Sequence, residues 1–303
     1  MLQADQSHSS FEGYPSFYSR DDAGKTLITS TVDFCEANFQ HTSFIAEPAN
    51  TISSLVYCLI SISHLYFTFK YCYGKKNRFY WRFVLSSVCS MILGLGSALL
   101  HCTLTRFFQY FDEIPMVVAV MLGIHMFLLR NKEDDECLWY NILVSSVLTF
   151  VTVGHSISTI WVSDSYSIFV YVFAALLNIS TLLEALHVYR GNNLEIWFKK
   201  VLPHASQEKI DACSRNVRRV YLIYFVFFLV AFILWAIEFY FCPNVYFLYL
   251  HVFWHIMTAI AANAKSTLWK YMTLLGHGVE EAEMTYYDPF RTMVKLDIKE
   301  KSN

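Results

Sequence analysis

Apolar positions along this chain of 303 residues gather into long blocks separated by polar connections. A membrane helix needs about 20 mainly apolar residues to cross roughly 30 Å of hydrocarbon. Seven stretches qualify, at 48–69, 79–102, 114–130, 138–158, 166–188, 219–240 and 246–267, the last interrupted near one end by Asn263 and Lys265. The pattern predicts an all-α membrane protein, a bundle of seven transmembrane helices. It divides the chain into a polar amino-terminal tail (1–30), a seven-helix domain (31–272) and a carboxyl-terminal tail (273–303), with no internal repeat or low-complexity segment.

The connections orient the bundle, because cytoplasmic loops are enriched in Lys and Arg. The first carries Lys70, Lys75, Lys76, Arg78 and Arg82. The fifth carries Arg190, Lys199, Lys200, Lys209, Arg215, Arg218 and Arg219. The second has only Arg106, and the fourth (SISTIWVSDSYS) and sixth (FCPNV) have none. The third, RNKEDDE, holds basic and acidic residues, and acidic ones weigh little in orientation. The amino terminus is therefore expected in a lumen and the carboxyl terminus in the cytosol. Residues 1–30 lack the apolar core of a cleavable signal, so the first hydrophobic helix is expected to direct insertion. The final Lys299-Glu300-Lys301-Ser302-Asn303 resembles the cytosolic KxKxx retrieval signal of the endoplasmic reticulum.

Composition agrees with a lipid-embedded chain: 55% of residues are hydrophobic and 16% charged, against roughly 25% charged in soluble domains. A net charge of -2 gives no basic excess to argue for nucleic acid, and no obligate protein partner is evident. The eight cysteines contain no CxxC pair, which argues against a cysteine zinc ribbon.

Ionisable residues at membrane depth are costly and point to function. In the seventh stretch, His251 and His255 are four apart, hence one turn apart on one helical face. Ser97 and His101 have the same spacing at the far end of the second. Opposite helix directions bring all three histidines to the lumenal side. Three histidines with an open fourth position are the pattern of catalytic zinc. His155 is a rival ligand, His125 and His187 fall toward the cytosolic side, and two histidines one turn apart also fit an interfacial or packed pair. Asp112, in FDEIPM at the mouth of the third stretch, either caps that helix or carries a proton for zinc-activated water. Ser97 either donates a hydrogen bond to an oxyanion or acts as the nucleophile of a triad. Before the first helix, Asp33, Glu36, Asn38 and Glu47 form an all-oxygen set suited to calcium, although acidic residues in a solvated loop are common.

DFCEAN with IAEPANT, GSALLH, FDEIPM and HVFWH, in this order and topology, resemble the alkaline ceramidase family over residues 30–270. Those are seven-helix zinc amidases of the endoplasmic reticulum and Golgi that split ceramide into a sphingoid base and a fatty acid. The resemblance implies zinc ligands at His101, His251 and His255, catalytic Ser97 and Asp112, and calcium ligands at Asp33, Phe34, Glu36, Asn38 and Glu47. Phe34 stands where the family usually has tryptophan and would act through its carbonyl. Pro48 and Ala49 replace bulkier residues of the family. The resemblance also implies a disulfide between Cys35 and Cys242, which would couple the calcium and zinc sites.

Two other readings remain at the level of sequence. The progestin and adiponectin receptor group is similar in its three-histidine zinc site, but many members have the opposite orientation and lack the acidic segment. A transporter or channel would use Glu184 and Glu238 along a pathway, yet no broken-helix pair or inverted repeat is visible.

Overall fold

The computed structural model describes residues 29–42, 44–72, 78–161 and 165–299. Most of the polar tail, Lys75 and Lys76 of the first connection, part of the fourth connection and the last four residues of the KxKxx stretch lie outside them. The helices are α1 (Pro48–Ser54), α2 (Val56–Cys72), α3 (Arg78–Thr103), α4 (Arg106–Leu128), α5 (Lys132–Glu136), α6 (Leu138–Trp161), α7 (Ser165–Tyr189), α8 (Asn193–Val201), α9 (Gln207–Val245) and α10 (Leu250–Gly276). A strand pair closes the chain, β1 (Ala282–Tyr286) antiparallel to β2 (Val294–Ile298).

Six helical segments are long and apolar enough to cross a membrane: α1 with α2, then α3, α4, α6, α7 and α9 with the short 3-10 turn that follows it. The seventh apolar stretch of the sequence forms α10, at 27 residues also long enough to cross. Its composition is more polar because Asn263, Lys265 and Lys270 turn inward. All three are buried. Asn263 donates to the carbonyl of Val294 (2.8 Å), Lys265 pairs with Glu184 (3.3 Å), and Lys270 donates to Ser87 (3.1 Å). Such partners offset the desolvation of polar groups at depth.

Burial separates inner from outer helices. The most apolar windows of the first three spans are 44–50% buried, those of α6, α7 and α9 only 17–22%. Phe150 and Trp161 on α6 are 80% and 82% exposed, as expected of side chains that meet lipid instead of protein. The inner helix α10 packs against α9, α1, α2 and α4.

Several boundaries exceed the apolar blocks because polar ends stay helical when they are packed. The third block begins at 114 by hydropathy, whereas α4 begins at Arg106. Asp112 is therefore nearly two turns inside the helix and does not cap it. The carboxyl-terminal tail also carries structure. Asp288 accepts from the backbone N–H groups of Thr292 and Met293 to close the strand turn, and Asn216 of α9 donates to the Met284 carbonyl (3.2 Å). The hairpin is thus fastened to α9 and, through Asn263, to α10.

One close approach sets the geometry between α3 and α4. A Cβ on Gly96 would stand 2.2 Å from the carbonyl oxygen of Phe111. That carbonyl faces outward without its usual helical donor, because the residue four positions on is Pro115, which has no N–H. Small residues let membrane helices approach this closely. Here the contact lies between the neighbours of Ser97 and Asp112. Gly96→Ala should lower the melting temperature of the detergent-solubilised protein, at an overpacking cost of about 1–3 kcal/mol. Gly154→Ala on α6, where an added Cβ meets nothing within 4 Å, should leave the melting temperature unchanged or raise it.

Candidate active site

The last carbonyls of α3 have no partners within the helix, and the segment before α1 supplies them. Ala46 and Glu47 donate backbone N–H groups to the carbonyls of Cys102 and His101 (2.9 and 3.0 Å), and Thr29 and Ser30 donate to Leu104. This stitching lays Glu47 beside the ring of His101. His251 and His255 lie at the start of α10, which Tyr249 opens in a left-handed conformation (φ 49°).

The three imidazoles converge as their sequence positions predict. Ring centroids are 5.0 Å apart for His101 and His251, 5.1 Å for His101 and His255, and 4.6 Å for His251 and His255. One ligand atom from each lies within 4.8 Å of the others. Among the described residues this is the one group of three or more His, Cys, Asp or Glu so arranged. His155 is elsewhere, its ring 6.3 Å from that of Phe169.

Each Nδ1 is already taken. His101 Nδ1 is 2.5 Å from Glu47 Oε2, His251 Nδ1 is 3.1 Å from Glu238 Oε2, and His255 Nδ1 is 2.7 Å from Ser53 Oγ. The Ser53 hydroxyl donates to the Asn50 carbonyl (3.1 Å), so its oxygen accepts from His255. These acceptors fix the tautomer with Nδ1 protonated and leave Nε2 of every ring with its lone pair. That is the outer-shell arrangement of metal-binding histidines. The residues therefore fit a divalent cation such as zinc.

The Ser54 hydroxyl donates to the Asn50 carbonyl (2.8 Å) and its oxygen lies 3.1 Å from that of Ser97, and Asp112 lies within hydrogen-bonding reach of Ser97 with His251 nearby. Ser97 and Asp112 line, with His251 and His255, one end of a cavity of about 320 Å³. Its walls are mainly aromatic, from Phe169 and Phe173 of α7 and Phe228, Phe232 and Trp235 of α9. Asn178, Thr181 and Tyr224 lie at the other end, and Thr181 hydrogen-bonds Tyr224.

The oxygen-bearing side chains of the acidic segment each find a protein partner. Glu36 accepts from the backbone N–H groups of Ala49 and Asn50 (2.8 Å each) at the start of α1, and Asn38 donates to Asp33 (3.1 Å). Glu47 accepts from Asn50 (3.1 Å). Two buried oxygens, Glu47 Oε1 and Asn38 Oδ1, have no hydrogen-bond partner. The Phe34 ring lies 4.2 Å from that of His251 and 4.7 Å from that of His101, so its side chain covers the histidines.

Cys35 and Cys242 are joined in a disulfide with Cα atoms 5.5 Å apart. The Cys35 N–H donates to Glu238 Oε1 (3.3 Å), the carboxylate whose other oxygen meets His251. Glu238 stands on α9 before the break at Phe241. The sequence singled it out only as a residue that a transport pathway would use. Glu184, the other such residue, accepts from Ser180 and Trp269 and pairs with Lys265, away from the histidines.

Residues 26–295 match the family described as ceramidase. The chain belongs to the ceramidase family. It is 25% identical to alkaline ceramidase 3 of Mus musculus over 246 residues, 77% of this chain and 80% of the mouse protein. It is 36% identical to an alkaline ceramidase of Arabidopsis thaliana over 106 residues, 35% of this chain and 38% of that relative. It is 35% identical to the alkaline ceramidase YPC1 of Saccharomyces cerevisiae over 105 residues, 35% of this chain and 31% of the yeast protein. Nearly the whole chain falls within the ceramidase match, and the receptor reading is not favoured.

The disulfide bridges residues 207 apart in sequence, and bridges over long loops stabilise by about 2–5 kcal/mol. Non-reducing peptide mapping should recover Cys35 linked to Cys242 and the other cysteines free. Cys35→Ser should lower the melting temperature even though both sites of linkage lie outside the bundle core.

Proposed function

We propose that this chain is a zinc-dependent alkaline ceramidase, an amidohydrolase that splits the amide bond of ceramide, dihydroceramide or phytoceramide into a sphingoid base and a free fatty acid. The observation that carries the reading is the convergence of three Nδ1-anchored imidazoles with Ser97 and Asp112 at one end of an aromatic cavity, in a chain of the ceramidase family. His101, His251 and His255 would hold the zinc through Nε2. When bound, the ion supplies Lewis acidity toward the amide carbonyl and lowers the pKa of water to about 7.

The side chains account for the rest. Asp112 takes the proton that water gives up as its oxygen bonds to the amide carbon, and returns it to the nitrogen as the C–N bond breaks. The products are then a carboxylic acid and a neutral amine, and Asp112 is restored. Ser97, whose hydroxyl stands within hydrogen-bonding reach of Asp112, turns its proton to the carbonyl oxygen as negative charge develops there. Phe34 and the aromatic walls keep bulk water away from these groups, and the cavity takes the acyl chain while the headgroup remains at the mouth.

Topology follows from the same reading. The basic connections support seven spans with α10 as the seventh, a lumenal amino terminus and a cytosolic carboxyl terminus. Residues 31–272 then form the catalytic domain, preceded by the tail 1–30 and followed by a cytosolic segment, 273–303, that includes the hairpin. An endoplasmic reticulum or Golgi membrane is in keeping with the family resemblance and the KxKxx stretch. The unpartnered oxygens of Glu47 and Asn38, with Asp33, Glu36 and the Phe34 carbonyl close in sequence, support calcium as a modulator of the loop that carries Glu47 to His101.

His251→Ala should remove both bound zinc, read by elemental analysis, and fatty acid release from a ceramide panel. Asp112→Asn should keep the zinc and lose about 10²–10⁴-fold in rate. Full activity in zinc-free protein would overturn the proposal. For the second metal, calcium near 100 times its Kd should stabilise the protein by about 2.7 kcal/mol and raise its melting temperature. Asp33→Ala should abolish that shift without changing zinc content; no shift in the unaltered protein would refute calcium binding.

A further inference from the structure

A second cavity, of about 170 Å³, lies where the distal half of α2 meets the hairpin. His64 and Lys70 line it about 15 to 24 Å along the helix from Ser54, at the opposite end of the bundle from the three histidines. Ser63, Tyr71, Tyr287 and Lys295 complete the lining that matters here.

The charges in this cavity are unbalanced toward the positive. The Lys70 ammonium stands 4.7 Å over the ring of Tyr71 and 5.7 Å over that of Tyr66, and among the described residues it forms no salt bridge. Lys295 lies 5.5 Å over the ring of Tyr287 and 3.9 Å from Asp297. Asp297, the single carboxylate of the lining, already accepts from the Tyr71 hydroxyl (2.6 Å) and from the backbone of Ile298 (3.1 Å). His64 is 7% exposed, and its Nε2 has no hydrogen-bond partner. A buried polar atom left without a partner costs free energy that a ligand recovers.

We propose that this pocket binds a phosphate group, supplied by the headgroup of an anionic phospholipid. Two ammonium groups against one carboxylate leave a net positive charge for a phosphate, and the imidazole Nε2 and the outer hydroxyl of the Ser63–Tyr287 pair (2.9 Å apart) can meet its oxygens. Tyr66 and Tyr287, both at least 60% exposed, give the rim the aromatic character of side chains at headgroup level. Basic pockets between membrane helices on the cytoplasmic side are where anionic headgroups bind. The proposal takes the cytosolic placement of the hairpin from the topology proposed above and is otherwise independent of the amidase reading, because no group of the histidine site takes part.

Native mass spectrometry of the full-length protein in detergent tests it, with dioleoyl phosphatidic acid, dioleoyl phosphatidylcholine and inorganic phosphate as separate probes. Phosphatidic acid should bind more tightly than phosphatidylcholine and weaken about tenfold in the double variant Lys70→Ala, Lys295→Ala. Inorganic phosphate retained by the unaltered protein and lost in the variant supports the site with the free anion as its source. Equal phosphatidic acid binding in both proteins, or binding of neither probe, overturns the proposal. Lys70→Glu, at an exposed position, repeats the test in a single variant, and a melting curve of each variant establishes that it is folded.

Discussion

Three imidazole rings packed together inside a helix bundle need three acceptors for their ring N–H groups, and that requirement organises this molecule. A bundle in lipid has little water to satisfy a buried donor, so the protein itself must supply an oxygen to each ring. Glu47 comes from the segment before the first helix, Ser53 from the first helix and Glu238 from α9. Three distant parts of the chain are thereby tied to one point. The stitching of Ala46 and Glu47 to the end of α3, the break in α9 at Phe241 and the left-handed turn at Tyr249 are the backbone features that deliver those oxygens and rings.

The second organising contact is steric. Gly96 and the Phe111 carbonyl meet where a side chain would not fit, and one residue further along each helix stand Ser97 and Asp112. The pair is therefore set by two backbones in contact and not by flexible side chains reaching across a gap. The proton-passing roles proposed for this pair call for such fixed placement, since an error of about 1 Å costs as much as 10²-fold in rate.

Hydropathy made the long helices legible, and the four-residue spacing of Ser97 with His101 and of His251 with His255 made the heart of the site legible once helix direction was considered. What escaped was whatever depends on contact between distant segments. Glu238 precedes His251 by 13 residues, with a kink and a turn between them, so no periodicity relates the two. Phe34 was placed by its backbone, yet its side chain lies over two histidine rings. The start of α4 was missed because charged and polar residues at 106–113 lower the hydropathy of a segment that packing keeps helical. The hairpin was missed although Val294-Lys295-Leu296-Asp297-Ile298 alternates in the way a half-buried strand does, because a short polar ending is easily taken for an unstructured tail.

The bridge between Cys35 and Cys242 has a consequence for how the protein is made. Its two halves emerge from the ribosome at opposite ends of synthesis, one before the first span and the other just ahead of α10. The carboxylate that turns His251 is held by the backbone of Cys35, so the finished arrangement awaits both the last helix and an oxidising compartment. A chain caught midway through insertion carries His101 and Asp112 but neither of the other rings. The hydrolytic centre proposed above is thus completed only when the last helix and the bridge are both in place.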